Sequence, residues 1–199
     1  MENLQRRRTG WIRWLWLAGL WAGFAQAEAP PAAAPEREPE IRLIQAGRDD
    51  SALRRIEAVR QKLPLKNQQR NNFAWAVAKI EGLDKAEYFA HSGIQGTGGL
   101  SGEAAAKIAN ISPRRKKGRF AVLCVNHADV VEGPDCWPRH VDTECKILED
   151  MASRLPDPSA TGCIRLYTDL YPCASCRNVM RQFLGIYTNV QMQVLYRER

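Results

Sequence analysis

The chain has 199 residues, 45% of them hydrophobic and 26% charged, with a formal net charge of +7 and a pI near 9.3. These proportions exclude a chain disordered throughout and fit one globular domain with accessory segments. The basic balance is compatible with a nucleic-acid partner but does not specify one, because residues 1–27 hold four Arg and one Glu and the remainder keeps only +4.

At the N-terminus, Arg6-Arg7-Arg8 precede an apolar run from Trp14 to Phe24 and a small-x-small triplet, Ala25-Gln26-Ala27. That order predicts a signal peptide over residues 1–27 and export to the periplasm or beyond. The apolar run is short and Arg13 blocks its extension, so no stable membrane span is expected; an uncleaved anchor is the alternative. The twin arginines are not followed by the rest of a folded-export signal. Residues 28–40 are rich in Ala, Pro and Glu and read as an extended linker.

Residues 41–70 read as an N-terminal helical segment. From Asp50 or Ser51, the residues Leu53, Ile56, Val59 and Leu63 recur at near-helical spacing, and Pro64 stops the helix. Residues 71–199 read as the main domain. Asn72 to Ile80 alternates as a strand does, and Gly82-Leu83-Asp84 turns it back toward Tyr88-Phe89-Ala90-His91. Gly93, Gly96, Gly98, Gly99 and Gly102 lack the spacing of a phosphate-binding fingerprint. Arg114-Arg115-Lys116-Lys117-Gly118-Arg119 is dense enough to engage phosphates and is equally readable as a solvated loop. A buried strand is expected over Phe120–Val125, then a helix from Asp142 through Leu155, ended by Pro156 and Pro158. A strand Cys163–Tyr167, a helix from Pro172 to about Leu184 and a strand Val190–Tyr196 follow. This alternation predicts an α/β sandwich.

Of the six cysteines, Cys124, Cys145 and Cys163 sit in apolar or periodic runs and read as core residues. Only Cys173 and Cys176 have motif spacing, in Pro172-Cys173-Ala174-Ser175-Cys176. They fall at a helix start, where thiolates are favoured. Asp142-Thr143-Glu144 begins the other late helix. If both helices lie on one face of the sheet, their N-termini meet around one zinc held by Asp142, Cys173 and Cys176, with Glu144 moving protons. Bland readings stand beside this: Asp142 as an N-cap and Glu144 as a solvated first-turn carboxylate. His140 is a second candidate for the third ligand. Cys136 and His140 could also join Cys173 and Cys176 in a closed structural zinc site. An Asp ligand leaves the metal unit one charge more negative than His would, and Arg177 or Arg139 is a candidate to compensate.

Three stretches, Phe89-Ala90-His91-Ser92, Val141 to Leu148, and Pro172 to Cys176, make the chain resemble the bacterial toxin deaminases of the cytidine deaminase-like superfamily, from about Asn72 to Tyr196. The resemblance implies a mixed β-sheet flanked by helices, one Zn2+, and hydrolytic deamination of a nucleobase in a nucleic acid or nucleotide. Cytosine is the favoured base and adenine stays open. It also implies conflict between bacteria and a cognate immunity protein. Cys173 and Cys176 carry over as zinc ligands, Glu144 as proton shuttle, and Asp142 as third ligand by position, where the superfamily usually has His or Cys. His91 and Ser92 would border the substrate pocket, or be a packed His and a loop Ser. Trp137 would stack a base or cover the core, and Arg177 is a further candidate contact.

Two other function classes remain open. Strand, Cys-x-x-Cys, helix is also the context of an exported thiol–disulfide oxidoreductase, although only one helix and one strand follow the motif here. A non-catalytic, zinc-stabilised nucleic-acid-binding module would keep the metal and make Glu144 dispensable.

Overall fold

The computed structural model describes residues 37–197; the expected signal peptide and most of the expected linker lie outside them. The described elements run β1 (Glu40–Leu43), α1 (Asp50–Arg60), α2 (Leu65–Gln68), β2 (Phe73–Ile80), β3 (Glu87–His91), α3 (Gly102–Lys107), β4 (Cys124–Val125), β5 (Trp137–Pro138), α4 (Thr143–Ala152), β6 (Gly162–Thr168), α5 (Ala174–Ile186) and β7 (Val190–Tyr196). Five strands form one mixed sheet in the order β1-β7-β6-β2-β3. β1, β7 and β6 run parallel to one another, while β2 runs antiparallel to both β6 and β3. β4 and β5 form a separate antiparallel ribbon.

The period of two in β2 divides the core. Ala74, Ala76, Ala78 and Ile80 face α4 and α5, packing with Ile147, Leu148, Met151, Val179 and Phe183. Three alanines in that row let α4 lie close against the sheet. Phe73 and Trp75 face the other way, with Ala52, Ile56 and Val59 of α1 and with Phe89, Tyr167 and Leu195. Each large side chain so buried stabilises the fold by about 1.5–3 kcal/mol. At the start of β6, a Cβ on Gly162 would stand 2.2 Å from the Lys79 carbonyl oxygen, so this pairing requires glycine.

All ten residues of α4 are buried, including Glu144, Lys146, Glu149 and Asp150. Buried charges need partners, and each has them. Lys146 Nζ donates to the carbonyls of His91 and Ile94 at 2.7 and 2.9 Å. Glu149 accepts from the Arg119 and Phe120 amides, both at 2.8 Å. Asp150 accepts from Lys85 and Ser112 at 2.8 and 2.9 Å. The segments 91–95 and 112–120 are thus tied to this helix by its charges.

Several expectations need correction. The helix expected to reach Leu63 ends at Arg60, and Pro64 instead precedes the short α2. α4 stops at Ala152 rather than Leu155. The strand expected over Phe120–Val125 is reduced to Cys124–Val125. Its backbone donors are taken by side chains: Phe120 N–H by Glu149, Ala121 N–H by Gln182 and Leu123 N–H by Ser175. Of the three cysteines assigned to the core, only Cys145 is there. Cys124 is bonded to Cys136, and Cys163 is exposed on β6.

Candidate metal centre and active site

The parallel crossover β6–α5–β7 places the N-terminus of α5 at the C-terminal edge of the sheet, beside that of α4. Asp142 is the N-cap residue of α4 and Cys173 that of α5, and neither side chain makes a capping hydrogen bond. Capping therefore does not account for Asp142. Its Oδ2 lies 3.3 Å from Cys173 Sγ and 3.4 Å from Cys176 Sγ. Among the described residues, these three are the group of His, Cys, Asp and Glu side chains whose donor atoms converge, all within 4.8 Å of one another.

The donor set fits zinc. With ordinary Zn–S and Zn–O bond lengths, the O-to-S edge of a tetrahedron is about 3.5 Å, close to both distances. Three protein donors leave a fourth position, as a catalytic site requires. The neighbouring Cys173 sulfur and complete burial push the Cys176 thiol well above its usual range, a direction that a bound cation reverses. His140 is exposed and outside the group. Cys136 is held in the disulfide with Cys124, which removes the closed Cys136/His140/Cys173/Cys176 site.

Glu144, in the first turn of α4, is 2% exposed, so the solvated reading of this first-turn carboxylate does not hold. Thr143 Oγ1 donates to its Oε2 at 2.7 Å, and Thr168 Oγ1 donates to its Oε1 at 3.0 Å. Asn72 Nδ2 in turn donates to both hydroxyls, at 2.8 and 3.0 Å. One amide thus orients two hydroxyls, and these orient both oxygens of one carboxylate. Burial raises the Glu144 pKa, the Asp142 charge adds to the rise, and the two threonine bonds oppose it. A carboxyl raised by desolvation yet held at both oxygens by donors is arranged as a proton-transfer group is.

Asn72, Thr143, Thr168 and Lys146 were not singled out from the sequence. Their nearest signal was position alone: Thr143 lies within Asp142-Thr143-Glu144, and Asn72 opens a strand. Ser92 joins this network from the other side, its Oγ accepting from Asn72 N–H at 3.1 Å. His91 is fully buried. Its Nε2 lies 2.8 Å from the Arg70 carbonyl, and its Nδ1 accepts from Gly93 N–H at 3.2 Å, so the ring is a loop anchor with both nitrogens occupied.

The β4–β5 ribbon closes the opposite side, crossed by the Cys124–Cys136 disulfide. Its loop carries Asp129, whose Oδ1 accepts from Ala174 N–H at 2.6 Å, taking the helix-capping role that Cys173 does not fill. Arg177 is committed to that loop: it donates to Asp129 Oδ2 at 3.0 Å and to the Pro172 carbonyl at 2.6 Å. The cation next to Asp142 is instead Arg139, with Nη1 3.9 Å from Asp142 Oδ1. Its guanidinium also covers the Trp137 ring, 3.9 Å from the centroid. In the basic run, Arg119 bonds Tyr187 and Arg115 bonds Ser153, while Lys116 and Lys117 are exposed and make no ion pair among the described residues.

A mixed five-stranded sheet, with helices delivering Asp142-x-Glu144 and Cys173-x-x-Cys176 to one edge, is a cytidine deaminase-like fold. A protein-family model, Toxin-deaminase, described as the BURPS668_1122 family of deaminases, matches residues 56–198. The chain belongs to that family. No curated protein and no solved structure matches it.

Proposed function

We propose that the protein is a zinc-dependent hydrolytic deaminase acting on cytosine in nucleic acid, exported as a toxin against other bacteria and neutralised in the producer by a cognate immunity protein. The observation that carries this reading is the convergence of Asp142 Oδ2 on the two sulfurs at 3.3 and 3.4 Å, two residues from a buried carboxylate held at both oxygens. Zinc bound there would acidify a water molecule toward neutral pH. Glu144 takes the proton from the attacking water and delivers it to the ring nitrogen, then to the departing amine. Water oxygen replaces the exocyclic nitrogen at the ring carbon, and ammonia leaves. Thr143 and Thr168 keep the carboxylate aimed through both transfers. Arg139 offsets the additional negative charge that an Asp ligand brings.

The test is base conversion by the zinc-reconstituted chain on single- and double-stranded DNA, on RNA and on free cytidine, read as uracil by mass spectrometry. Conversion that falls by roughly 100-fold or more in Glu144→Ala, with zinc retained, is the expected result. Conversion confined to adenine would change the base. No conversion of any probe, or an unaffected Glu144→Ala variant, would sink the catalytic reading and leave the binding module.

A further inference from the structure

The β4–β5 ribbon carries an aromatic stack that the deamination chemistry does not use. Trp137 is half-buried and belongs to neither hydrophobic core cluster, so it does not cover the core. Arg139 lies over its ring, and the exposed His127 packs against it with centroids 4.6 Å apart and planes inclined by 58°. Arg139 is itself fixed by the Val125 and Asn126 carbonyls at 3.1 and 3.0 Å. Through Arg139 Nη1, 3.9 Å from Asp142 Oδ1, the indole stands one guanidinium away from the metal-binding carboxylate. Among the described residues, neither the indole N–H nor the His127 ring nitrogens have a hydrogen-bond partner. An aromatic face held rigid beside a reactive centre, with unpaired polar edges open to solvent, is what a stacking site for a base requires.

We propose that Trp137, with His127, is the platform on which an unpaired nucleobase adjacent to the reacting one stacks, so that the site takes single-stranded nucleic acid. The proposal rests on the polymer-substrate reading above. The exposed His127 ring extends the indole as a second flat surface, and the disulfide with the Asp129–Ala174 bond ties the platform's ribbon to the head of α5. Because a stacked base contributes through its π-face, the platform selects strandedness before it selects sequence.

The experiment is fluorescence anisotropy of labelled mixed-sequence single strands, DNA and RNA, and of the matching duplexes. It uses the Glu144→Ala chain so that the probe is not consumed. Trp137→Ala is expected to weaken single-strand binding roughly 5- to 100-fold. Trp137→Phe should keep most of the affinity, and His127→Ala should have a smaller effect than Trp137→Ala. The dependence on salt should not change, because no phosphate contact is removed. The proposal is overturned if Trp137→Ala binds as the parent does, if duplex and single strand bind equally, or if Trp137→Ala and Trp137→Phe both lose zinc or melt early. Absence of binding to any strand also overturns it. The two readings fail separately: the deaminase reading fails if no base is converted, the platform if bases are converted and Trp137→Ala leaves KM unchanged.

Discussion

Asp142 sits at the N-cap of α4, yet its carboxylate turns away from the helix and lies 3.3 Å from Cys173 Sγ at the head of α5. A capping aspartate replaced by alanine costs about 1 kcal/mol of stability. Here no capping bond exists to be lost. Asp142→Ala is therefore expected to abolish tight zinc binding, measured by competition with a chelator, while the metal-free protein loses less stability than a capping residue would account for. Full zinc affinity in the variant would remove Asp142 from the ligand set.

Thr168 separates geometry from mere presence of Glu144. Thr168→Val keeps the shape and deletes the donor to Oε1; Thr168→Ser keeps the donor. The valine variant should lose roughly 10- to 100-fold in kcat, as changes to outer-shell partners do, with KM little altered and the serine variant close to wild type. Equal losses in both variants would mean that Thr168 contributes packing alone.

Burial brings Lys146 down from 10.5 to about 8. The unfolded chain then binds more protons than the folded one between those values, so the lysine's contribution to stability rises with pH across that window and is least favourable below it. The difference in unfolding free energy between wild type and Lys146→Met, both without zinc, should grow on the order of 3 kcal/mol from pH 7.5 to 10.5. Urea titrations at stepped pH measure it, and a flat difference would contradict the direction.

Asp129 reaches α5 from a loop 45 residues earlier. Asp129→Ala removes the acceptor of Ala174 N–H and one of the two acceptors of Arg177, and should cost about 1–2 kcal/mol. Because that first turn carries Cys176, zinc should also leave faster. Zinc release to a chelator, followed optically, reports this directly; an unchanged rate would show that the cap and the metal donors are independent.

Removing the Cys124–Cys136 bridge by a double change to alanine should destabilise the fold by about 2–4 kcal/mol relative to the oxidised protein. The variant should match reduced wild type in thermal melts. A variant as stable as the oxidised chain would show that the ribbon does not need its crosslink.

The parts of this molecule that follow a period were readable from residues alone. β2, with alternating Phe73, Trp75 and Ala74, Ala76, Ala78, and α5, behind Cys173-x-x-Cys176, lie close to where their patterns place them. The candidate ligands Asp142, Cys173 and Cys176 also stand at a spacing that fits a metal site. What could not be read was the support around them. Asn72 reaches Thr143 across 71 positions and Thr168 across 96, and no local pattern encodes contacts of that range. Lys146 and Glu149 look like surface charges on a helix, and only the segments folded over them reveal buried anchors. The pairing of Cys124 with Cys136 was hidden because an apolar stretch around Cys124 looks the same whether it enters a sheet or a crosslinked ribbon.

A helix with no outer face has no neutral positions. Every residue of α4 is buried, in the core or in hydrogen bonds to neighbouring segments, so variation there disturbs the fold or the Glu144 network. The β4–β5 loop is different: Ala128, Val130, Val131 and Glu132 are exposed, while the disulfide and Asp129 fix its ends and its docking point. On the roles proposed above, reaction and recognition fall on separate pieces of chain. In the proposed deaminase, the loop could be rewritten to meet a new strand while the helix that carries Glu144 stays as it is.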